Sequence, residues 1–516
     1  HVCADRDTLS AYQANVGAST REISMVLRPE NSEQVRRIVA IANERRVPLY
    51  PISRGCNWGL GSRLPVRDGC AVVDLSRMNK IISVDAKHAY AVIEPGVTQG
   101  QLYDHLVAEE IPLMLNVTGA GRQASLVGNA LERGIGYFSS RADSLSGMEV
   151  VLGNGDVIRT GFGHFESAHT THLYRHGIGP SLDGIFGQSN FGIVTQAGIE
   201  LLPKPAHQMA CIAGLADSAC LGRLVDALGD LRRQGLITSV VHIGNRARTH
   251  VTLTPLVMDY LRERGETGDA SLAEAAKDIM YRENFGSWSA VIGMHGTRGQ
   301  LAESQKWIRR KLRGIARADF ITDANLAMVT KVSKAMSFLP VFRRKLAVLH
   351  AVTPLHNLTS GIPTDAPLKS VYFGANEAVP DDPAANPDAS DAGLIFVAPF
   401  IPLCGRTAVN VVALTERIFN AHRFTPYITL NIIDAKSAEA VINVAFRRSD
   451  TARVEAARQC VAELETALIK QGYPPYRVGP DSMPRVVSDN SFWRTVGKLK
   501  SALDPNGIIA PGRYEL

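Results

Sequence analysis

One glycine-rich segment, Pro51–Ser62, constrains the fold of this chain more than any other stretch. It lies between two apolar runs, Val47–Tyr50 and Ala71–Leu75, and is therefore typical of a tight loop between two strands. Its three glycines let the backbone turn so that successive N–H groups face one ligand. Arg54 adds a forked cation. The loop therefore predicts an anion site suited to a pyrophosphate, with an ordinary glycine-rich turn as the alternative.

The pattern around this loop predicts an α+β fold. Apolar and polar residues alternate or recur at helical spacing in short blocks, without the G-x-G-x-x-G that opens a helix in a Rossmann unit. Strands are predicted over Ser24–Pro29, Val47–Ile52, Ala71–Leu75, Ala89–Glu94, Ser239–Ile243 and Tyr427–Ile433, and helices over Gln99–Ala108, Asp217–Arg233 and Ser304–Arg317. The acidic, proline-rich stretch Glu377–Ala392 predicts an exposed loop with little regular structure.

Five further motifs follow the loop in a definite order: Val92–Thr98, Val127–Tyr137, Gly147–Asp156, Asp183–Thr195 and Leu503–Tyr514. In this order, the set resembles the flavoprotein family of vanillyl-alcohol oxidase and the flavin subunit of p-cresol methylhydroxylase. The resemblance runs from about residue 25 to the C-terminus. It implies bound FAD and a FAD-binding domain in two parts, residues 1–205 and 466–516. An α+β cap domain, residues 206–465, would be inserted between them.

The resemblance also implies which residues contact the cofactor. A non-covalent FAD is preferred, but Tyr372 lies one position from the match to a linking tyrosine and could carry a covalent bond. Arg513 matches an arginine near the flavin ring, where a cation stabilises the reduced flavin. The remaining predicted contacts are Pro51, Ser53, Arg54, Gly55, Cys56, Asn57, Trp58, Gly59, Gly61, Ser62, Glu94, Pro95, Gly96, Gly128, Asn129, Gly134, Gly192, Ile193 and Val194.

Tyr476 and Arg477 match a Tyr-Arg pair that holds the oxygen of a para-substituted phenol in the family. A guanidinium beside a phenol, whose pKa is about 10, favours the phenolate. The phenolate weakens the benzylic C–H bond, so that a hydride can leave and a quinone methide remains. Asp143 is the match to a catalytic aspartate, with a turn residue as the alternative. A surface arginine beside a core tyrosine is the alternative for the pair.

Three departures from the family leave the predicted substrate open. Leu60, Pro367 and Asn443 stand where relatives carry a tyrosine, a glutamate and an aspartate. The site would be more apolar and would suit a bulkier aromatic. Two alternatives follow: a flavoenzyme of the same superfamily that acts on a 2-hydroxy acid, and a flavin-binding partner protein that has lost catalysis.

Composition excludes several other classes of protein. The 516 residues carry a formal net charge of +6, without a basic stripe interleaved with aromatics, so no nucleic-acid partner is expected. No apolar run reaches membrane-spanning length, and neither cytoplasm nor periplasm is excluded. Seven scattered cysteines predict free thiols, and four histidines between His164 and His176 lack the residues that would complete a metal site.

By analogy with the family, we expect a homo-oligomer and either oxygen or a cytochrome as electron acceptor.

Overall fold

The N-terminal part of the chain forms a small sheet that carries the glycine-rich loop. The computed structural model describes residues 1–283, 285–382 and 384–516. The strand order is β1-β2-β4-β3, with β2, β4 and β3 parallel. Asn31 caps α2 by accepting a hydrogen bond from the Gln34 N–H, and the buried face of α2 packs on the sheet. The elements are β1 (Val2–Cys3), α1 (Arg6–Gln13), β2 (Ile23–Leu27), α2 (Ser32–Arg45), β3 (Leu49–Ile52) and β4 (Cys70–Asp74).

A second, antiparallel sheet follows, in the order β5-β6-β10-β8-β9. A two-stranded ribbon, β7 with β11, closes this part of the chain. Its elements are β5 (Ile81–Asp85), β6 (Tyr90–Ile93), α3 (Gln99–Ala108), β7 (Leu113–Met114), α4 (Leu126–Leu131), β8 (Leu145–Leu152), β9 (Val157–Arg159), β10 (Gly192–Glu200) and β11 (Leu202–Pro203).

The third sheet is the largest, in the order β15-β12-β14-β13-β18-β19-β16, with β17 also paired to β19. One face packs on α5, α8, α12 and α13, and the other face lines a cavity. The elements are β12 (His207–Leu215), α5 (Leu221–Arg233), β13 (Val241–Asn245), α6 (Arg246–Glu263), α7 (Asp269–Glu283), β14 (Trp288–Gly296), α8 (Arg298–Lys311), β15 (Arg317–Ile321), α9 (Asp323–Ala335), α10 (Pro340–Leu358), α11 (Lys369–Gly374), β16 (Ala392–Val397), β17 (Phe400–Pro402), α12 (Gly405–Ala421), β18 (Tyr427–Ile432), β19 (Ser437–Arg447) and α13 (Thr451–Lys470).

The C-terminal segment returns to the first two sheets. It contains α14 (Met483–Val486) and α15 (Ser491–Leu503). Beyond α15, Ile509 forms a parallel bridge with Leu49, and the Leu49 N–H donates to the Ile508 carbonyl at 2.7 Å. Ile508 and Ile509 share a buried cluster with Leu49 and Tyr50. The last residues of the chain therefore lie beside the strand that enters the glycine-rich loop.

The α+β prediction is confirmed, but several element bounds were wrong. The helix predicted to begin at Ser304 begins at Arg298 and ends at Lys311, and Arg317 starts a strand. The helix predicted from Asp217 begins at Leu221, and the strand predicted from Ser239 begins at Val241. Within the described parts of the chain, no helix is long and apolar enough to span a bilayer.

The segment predicted as an exposed loop, residues 377–392, contains a buried anchor. Asp388 is only 1% exposed, and its Oδ1 accepts hydrogen bonds from the Val16 N–H at 3.0 Å and the Ser62 hydroxyl at 2.7 Å. Asn386 accepts a hydrogen bond from the Trp58 indole at 3.2 Å. The prediction was wrong here because these polar residues bind the glycine-rich loop rather than water; Pro383 lies outside the described residues.

Candidate functional site

The glycine-rich loop leaves the end of β3 and is shaped by left-handed backbone at its glycines. Gly59 and Gly61 have φ angles of +77° and +103°. A Cβ on Gly59 would lie 3.0 Å from the Phe396 ring, and one on Gly61 would lie 2.3 Å from the Pro480 Cδ. The Asn57 carbonyl accepts the N–H groups of two later loop residues at 3.0 and 3.1 Å. Glycine is thus required both for the turn and for close packing.

A second wall approaches the loop at the start of α4. Ser125 caps this helix through its hydroxyl, which accepts from the Gly128 N–H at 2.9 Å and donates to the Pro95 carbonyl at 2.6 Å. A Cβ on Gly128 would lie 2.8 Å from the Ser53 Oγ. The absence of a side chain at Gly128 therefore lets α4 and the loop meet.

The loop, α4, the start of β10 and the C-terminal turn enclose a cleft with a volume of about 160 Å³. Arg54 lies on one wall, and its guanidinium donates to Gln123 at 2.7 Å. Thirteen predicted cofactor contacts line this cleft: Pro51, Ser53, Arg54, Gly55, Cys56, Asn57, Ser62, Gly128, Asn129, Gly192, Ile193, Val194 and Arg513. We call it the first cavity.

The other predicted cofactor contacts lie elsewhere. Glu94, Pro95 and Gly96 support the cavity wall without lining the cavity. The Glu94 carboxylate accepts a hydrogen bond from the Lys80 N–H at 2.8 Å. A Cβ on Gly96 would lie 2.7 Å from each of three carbonyl oxygens. Trp58 and Gly134 line a neighbouring cavity, and Gly59 and Gly61 shape the loop.

Arg513 lies at one end of the first cavity with two partners. Its guanidinium donates to the Tyr50 hydroxyl at 2.7 Å and forms an ion pair with Glu132. Burial alone would lower the pKa of Arg513, but the Glu132 carboxylate raises it above its usual range. Glu132 therefore pairs with Arg513 at this end of the first cavity.

A larger cavity, with a volume of about 440 Å³, adjoins the first. We call it the second cavity. Cys56, Asn57, Asn129 and Arg477 line both. Arg477 donates to the Asn57 Oδ1 at 2.6 Å, and the Tyr476 N–H donates to the Ala398 carbonyl at 3.1 Å. The predicted Tyr-Arg pair is thus brought to the junction of the two cavities.

A row of polar side chains crosses the third sheet toward this pair. His242, Asn431 and Glu439 are neighbours on β13, β18 and β19. The His242 Nδ1 lies 2.7 Å from the Asn431 Oδ1, and the Asn431 Nδ2 donates to the Glu439 Oε1 at 2.8 Å. All three line the second cavity. We call them the polar row.

The polar row and the tyrosine have strongly shifted acid–base properties. Burial lowers the pKa of His242 to about 4, so its ring is neutral. Because its Nδ1 faces an amide oxygen, it carries the proton there, and its buried Nε2 is an acceptor without a partner among the described residues. Burial raises the pKa of Glu439. Burial and the Glu439 charge raise the pKa of Tyr476 well above 10, which keeps its hydroxyl protonated.

The sequence missed this row, although a signal was present. In the apolar strands β18 and β19, Asn431, Glu439 and Asn443 are polar at positions that share one face. Leu60, Pro367 and Asn443, the three departures from the family, also line the second cavity. All three positions at which this chain departs from the family therefore lie on the wall of the second cavity.

Two predicted site residues lie away from both cavities. The Asp143 side chain is 70% exposed and pairs with Arg175, so this geometry gives no support to a catalytic role. Tyr372 is buried, and its hydroxyl donates to the Ala385 carbonyl at 3.0 Å rather than facing a cavity. This placement gives no support to a covalent flavin link at Tyr372. No cluster that could hold a metal ion is present among the described residues.

Comparisons with known proteins find relatives along the whole chain. A family described as "FAD binding domain" matches residues 23–161. The chain is 33% identical, over its whole length and 94% of the relative, to the 1'-carboxy-chondrochloren decarboxylase of Chondromyces crocatus. It is 31% identical, over 93% of this chain and 85% of the relative, to the 4-cresol dehydrogenase (hydroxylating) flavoprotein subunit of Pseudomonas putida. The solved 4-ethylphenol oxidase from Gulosibacter chungangensis, an isoeugenol complex, has a TM-score of 0.84 at 27% identity, over 100% of this chain and 94% of that chain.

Proposed function

Because the chain belongs to the flavoprotein family of vanillyl-alcohol oxidase and p-cresol methylhydroxylase, we propose that it removes a hydride from the ring-attached carbon of a para-hydroxylated aromatic. It is an FAD-dependent oxidoreductase with the family's FAD-binding fold, so the resemblance and the cofactor expected from the sequence are confirmed. The observation that carries the finer proposal is the position of Tyr476 and Arg477 where the two cavities meet.

The first cavity suits FAD. Glycine-rich backbone and Arg54 offer donors for a diphosphate, and Arg513 lies at the other wall of the same cleft. The cleft opens beside Arg477 into a second, mostly apolar space that can hold an aromatic ring. When bound, FAD supplies the acceptor for the hydride.

Arg477 and Tyr476 would act on the phenol oxygen. The guanidinium favours the phenolate by direct charge attraction, and the protonated Tyr476 hydroxyl can donate a hydrogen bond to it. The buried Glu439, with its raised pKa, is suited to take up the phenolic proton. Electron density from the phenolate oxygen then loosens the C–H bond at the para carbon substituent. Hydride loss leaves a quinone methide, to which water adds.

Whole-length similarity to a relative named as a decarboxylase favours a second candidate, oxidative decarboxylation. The hydride would leave in the same way. If the neighbouring side-chain carbon carries a carboxylate, its C–C bond can then break. Carbon dioxide leaves, the electron pair forms a C=C bond, and the ring oxygen regains its negative charge and a proton.

Anaerobic reduction of the FAD-bound protein tests the proposal. The flavin absorbance should bleach with para-alkylphenols, para-hydroxybenzyl alcohols or their carboxylated analogues, but not with the matching para-methoxy compounds, which cannot form a phenolate. Tyr476→Phe should slow reduction by roughly 10- to 100-fold, since one hydrogen bond to a charged group is lost. Tyr473→Phe is the control, because Tyr473 packs on the helical face of the third sheet.

Each outcome separates the remaining candidates. Bleaching by 2-hydroxy acids alone would replace the phenol with the other predicted substrate class. Bound flavin that no donor reduces would instead support the degenerate binding protein. Product mass distinguishes hydroxylation from carbon dioxide loss.

We also propose that reoxidation uses oxygen or a cytochrome. Comparing oxygen uptake with cytochrome c reduction during turnover decides between them. Self-association stays a prediction that sedimentation can test.

A further inference from the structure

We propose that Arg248 binds a carboxylate on the substrate at the end of the second cavity away from Tyr476 and Arg477. The natural substrate would then be a para-hydroxylated aromatic whose side chain is anionic. The inference rests on the proposed function for the ring end of the substrate. It adds that the other end of the substrate carries a carboxylate.

The first argument is charge. Arg248 lines the second cavity, and no carboxylate forms an ion pair with it within the described parts of the chain. Of the described residues that line this cavity, Glu439 is the only acid, and its field acts on Tyr476 and Arg477. Burial lowers the pKa of Arg248. A desolvated cation without a counter-ion is unfavourable, and an anionic ligand would supply the missing charge.

The second argument is the set of groups around the guanidinium. Tyr137 and Tyr427 flank Arg248 closely enough to act on its charge. Burial raises the pKa of Tyr427, and raises that of Tyr137 to about 12, so both hydroxyls stay protonated. The Ser370 hydroxyl accepts from Arg248 only at 3.4 Å. Hydroxyl donors beside a forked cation are a typical carboxylate environment.

The third argument is distance. Tyr427 and Asn431 lie four residues apart on β18, which corresponds to about 13 Å along a strand. Asn431 belongs to the polar row beside Tyr476, whereas Tyr427 lies near Arg248. Arg248 also lies beside Gly244, which is two residues, or about 7 Å, from His242 along β13, so the two polar ends are about 7–13 Å apart and further apart than the length of one phenol ring. A ring with a side chain of several bonds would reach both.

The position of Arg248 on its helix points the same way. It lies in the first turn of α6, where the helix dipole is positive. The positive end of the dipole does not stabilise a cation, but it stabilises an anion that is bound to that cation. The charge of Arg248 at this position therefore lowers the stability of the ligand-free protein.

Two matched probes test the inference with the FAD-bound protein. Para-hydroxyphenylpropanoate and para-propylphenol share the ring and chain length but differ in the carboxylate. Calorimetry should show that Arg248→Met weakens the carboxylated probe by roughly 10- to 100-fold and changes the neutral probe by less than about 3-fold. Arg246→Met is the control, because Arg246 is exposed on the same helix. Arg248→Lys keeps the charge without the fork and should be intermediate.

A second readout separates binding from a structural role. Without ligand, Arg248→Met should unfold at a higher temperature than the parent, because an uncompensated cation is gone. A lower unfolding temperature together with equal weakening of both probes would overturn the inference, as would unchanged binding of the carboxylated probe. Preferential flavin reduction by neutral phenols would sink this inference and leave the proposed function standing. Carboxylate binding by Arg248 without flavin reduction by any phenol would contradict the proposed function and leave this inference standing.

Discussion

A buried ion pair in α15 should hold the C-terminal wall of the cofactor cleft in place. Lys500 is 6% exposed, and its Nζ donates to the Asn190 carbonyl at 2.5 Å, the Asp504 carboxylate at 2.6 Å and the Ile509 carbonyl at 2.7 Å. Asp504 in turn accepts the Ile508 and Ile509 N–H groups at 3.1 and 2.8 Å. The pair therefore fixes the backbone that runs on to Ala510 and Arg513.

Lys500→Met removes three hydrogen bonds at once and strands a charge on Asp504, which is only 1% exposed. Loss of one partner of a buried pair costs about 3–5 kcal/mol, or roughly a hundred- to several-thousand-fold in the folding equilibrium. Guanidinium denaturation followed by circular dichroism measures this change. Because Ala510 and Arg513 line the first cavity, free flavin fluorescence should also appear at a lower denaturant concentration.

Two further variants control this experiment. Lys498→Met removes an exposed lysine from the same helix and should change the unfolding free energy by less than about 0.5 kcal/mol. Adding Asp504→Asn to Lys500→Met removes the stranded charge and should recover a large part of the loss. A loss below about 1 kcal/mol for Lys500→Met would refute the reasoning.

Three other predictions follow from the site. Burial raises the pKa of Glu439, so the folded protein binds this proton more tightly than the unfolded chain does, and stability falls as the pH rises above about 4.5; Glu439→Gln should therefore become more stable relative to the parent as the pH rises above this value, measured by urea unfolding. Gly61→Ala places a Cβ against Pro480 at a positive φ and should cost at least about 1–3 kcal/mol, seen as a lower thermal midpoint. Glu132→Gln leaves Arg513 without its carboxylate and should cost about 1–3 kcal/mol, and a double-mutant cycle with Arg513→Met should show coupling.

Local motifs allowed the cofactor side of the site to be predicted. The loop Pro51–Ser62 depends on glycines whose conformations are set within a few residues, and thirteen of the predicted contacts line one cleft. Tyr476 and Arg477 were found by their place in the order of motifs, and the structure brings them to the same loop through Asn57.

The substrate side depended on contacts between distant parts of the chain. The His242–Asn431 contact joins residues 189 positions apart, and the Ser62–Asp388 contact joins residues 326 apart. Such pairs follow from the register of β13 and β18 and from the path of a long segment, neither of which periodicity specifies. Asp143 was predicted only as the match to a catalytic aspartate of the family, and its side chain faces solvent.

Two of the three departures from the family, Leu60 and Pro367, line the same cavity as several buried polar groups. Leu60 and Pro367 make one part of the second cavity apolar, whereas His242 and Asn443 each keep a buried acceptor without a partner among the described residues. Unsatisfied buried polar atoms cost about 1–3 kcal/mol each, so a protein that only held flavin would gain by losing them. The second cavity therefore keeps polar groups beside its apolar residues, which argues against a degenerate binding protein.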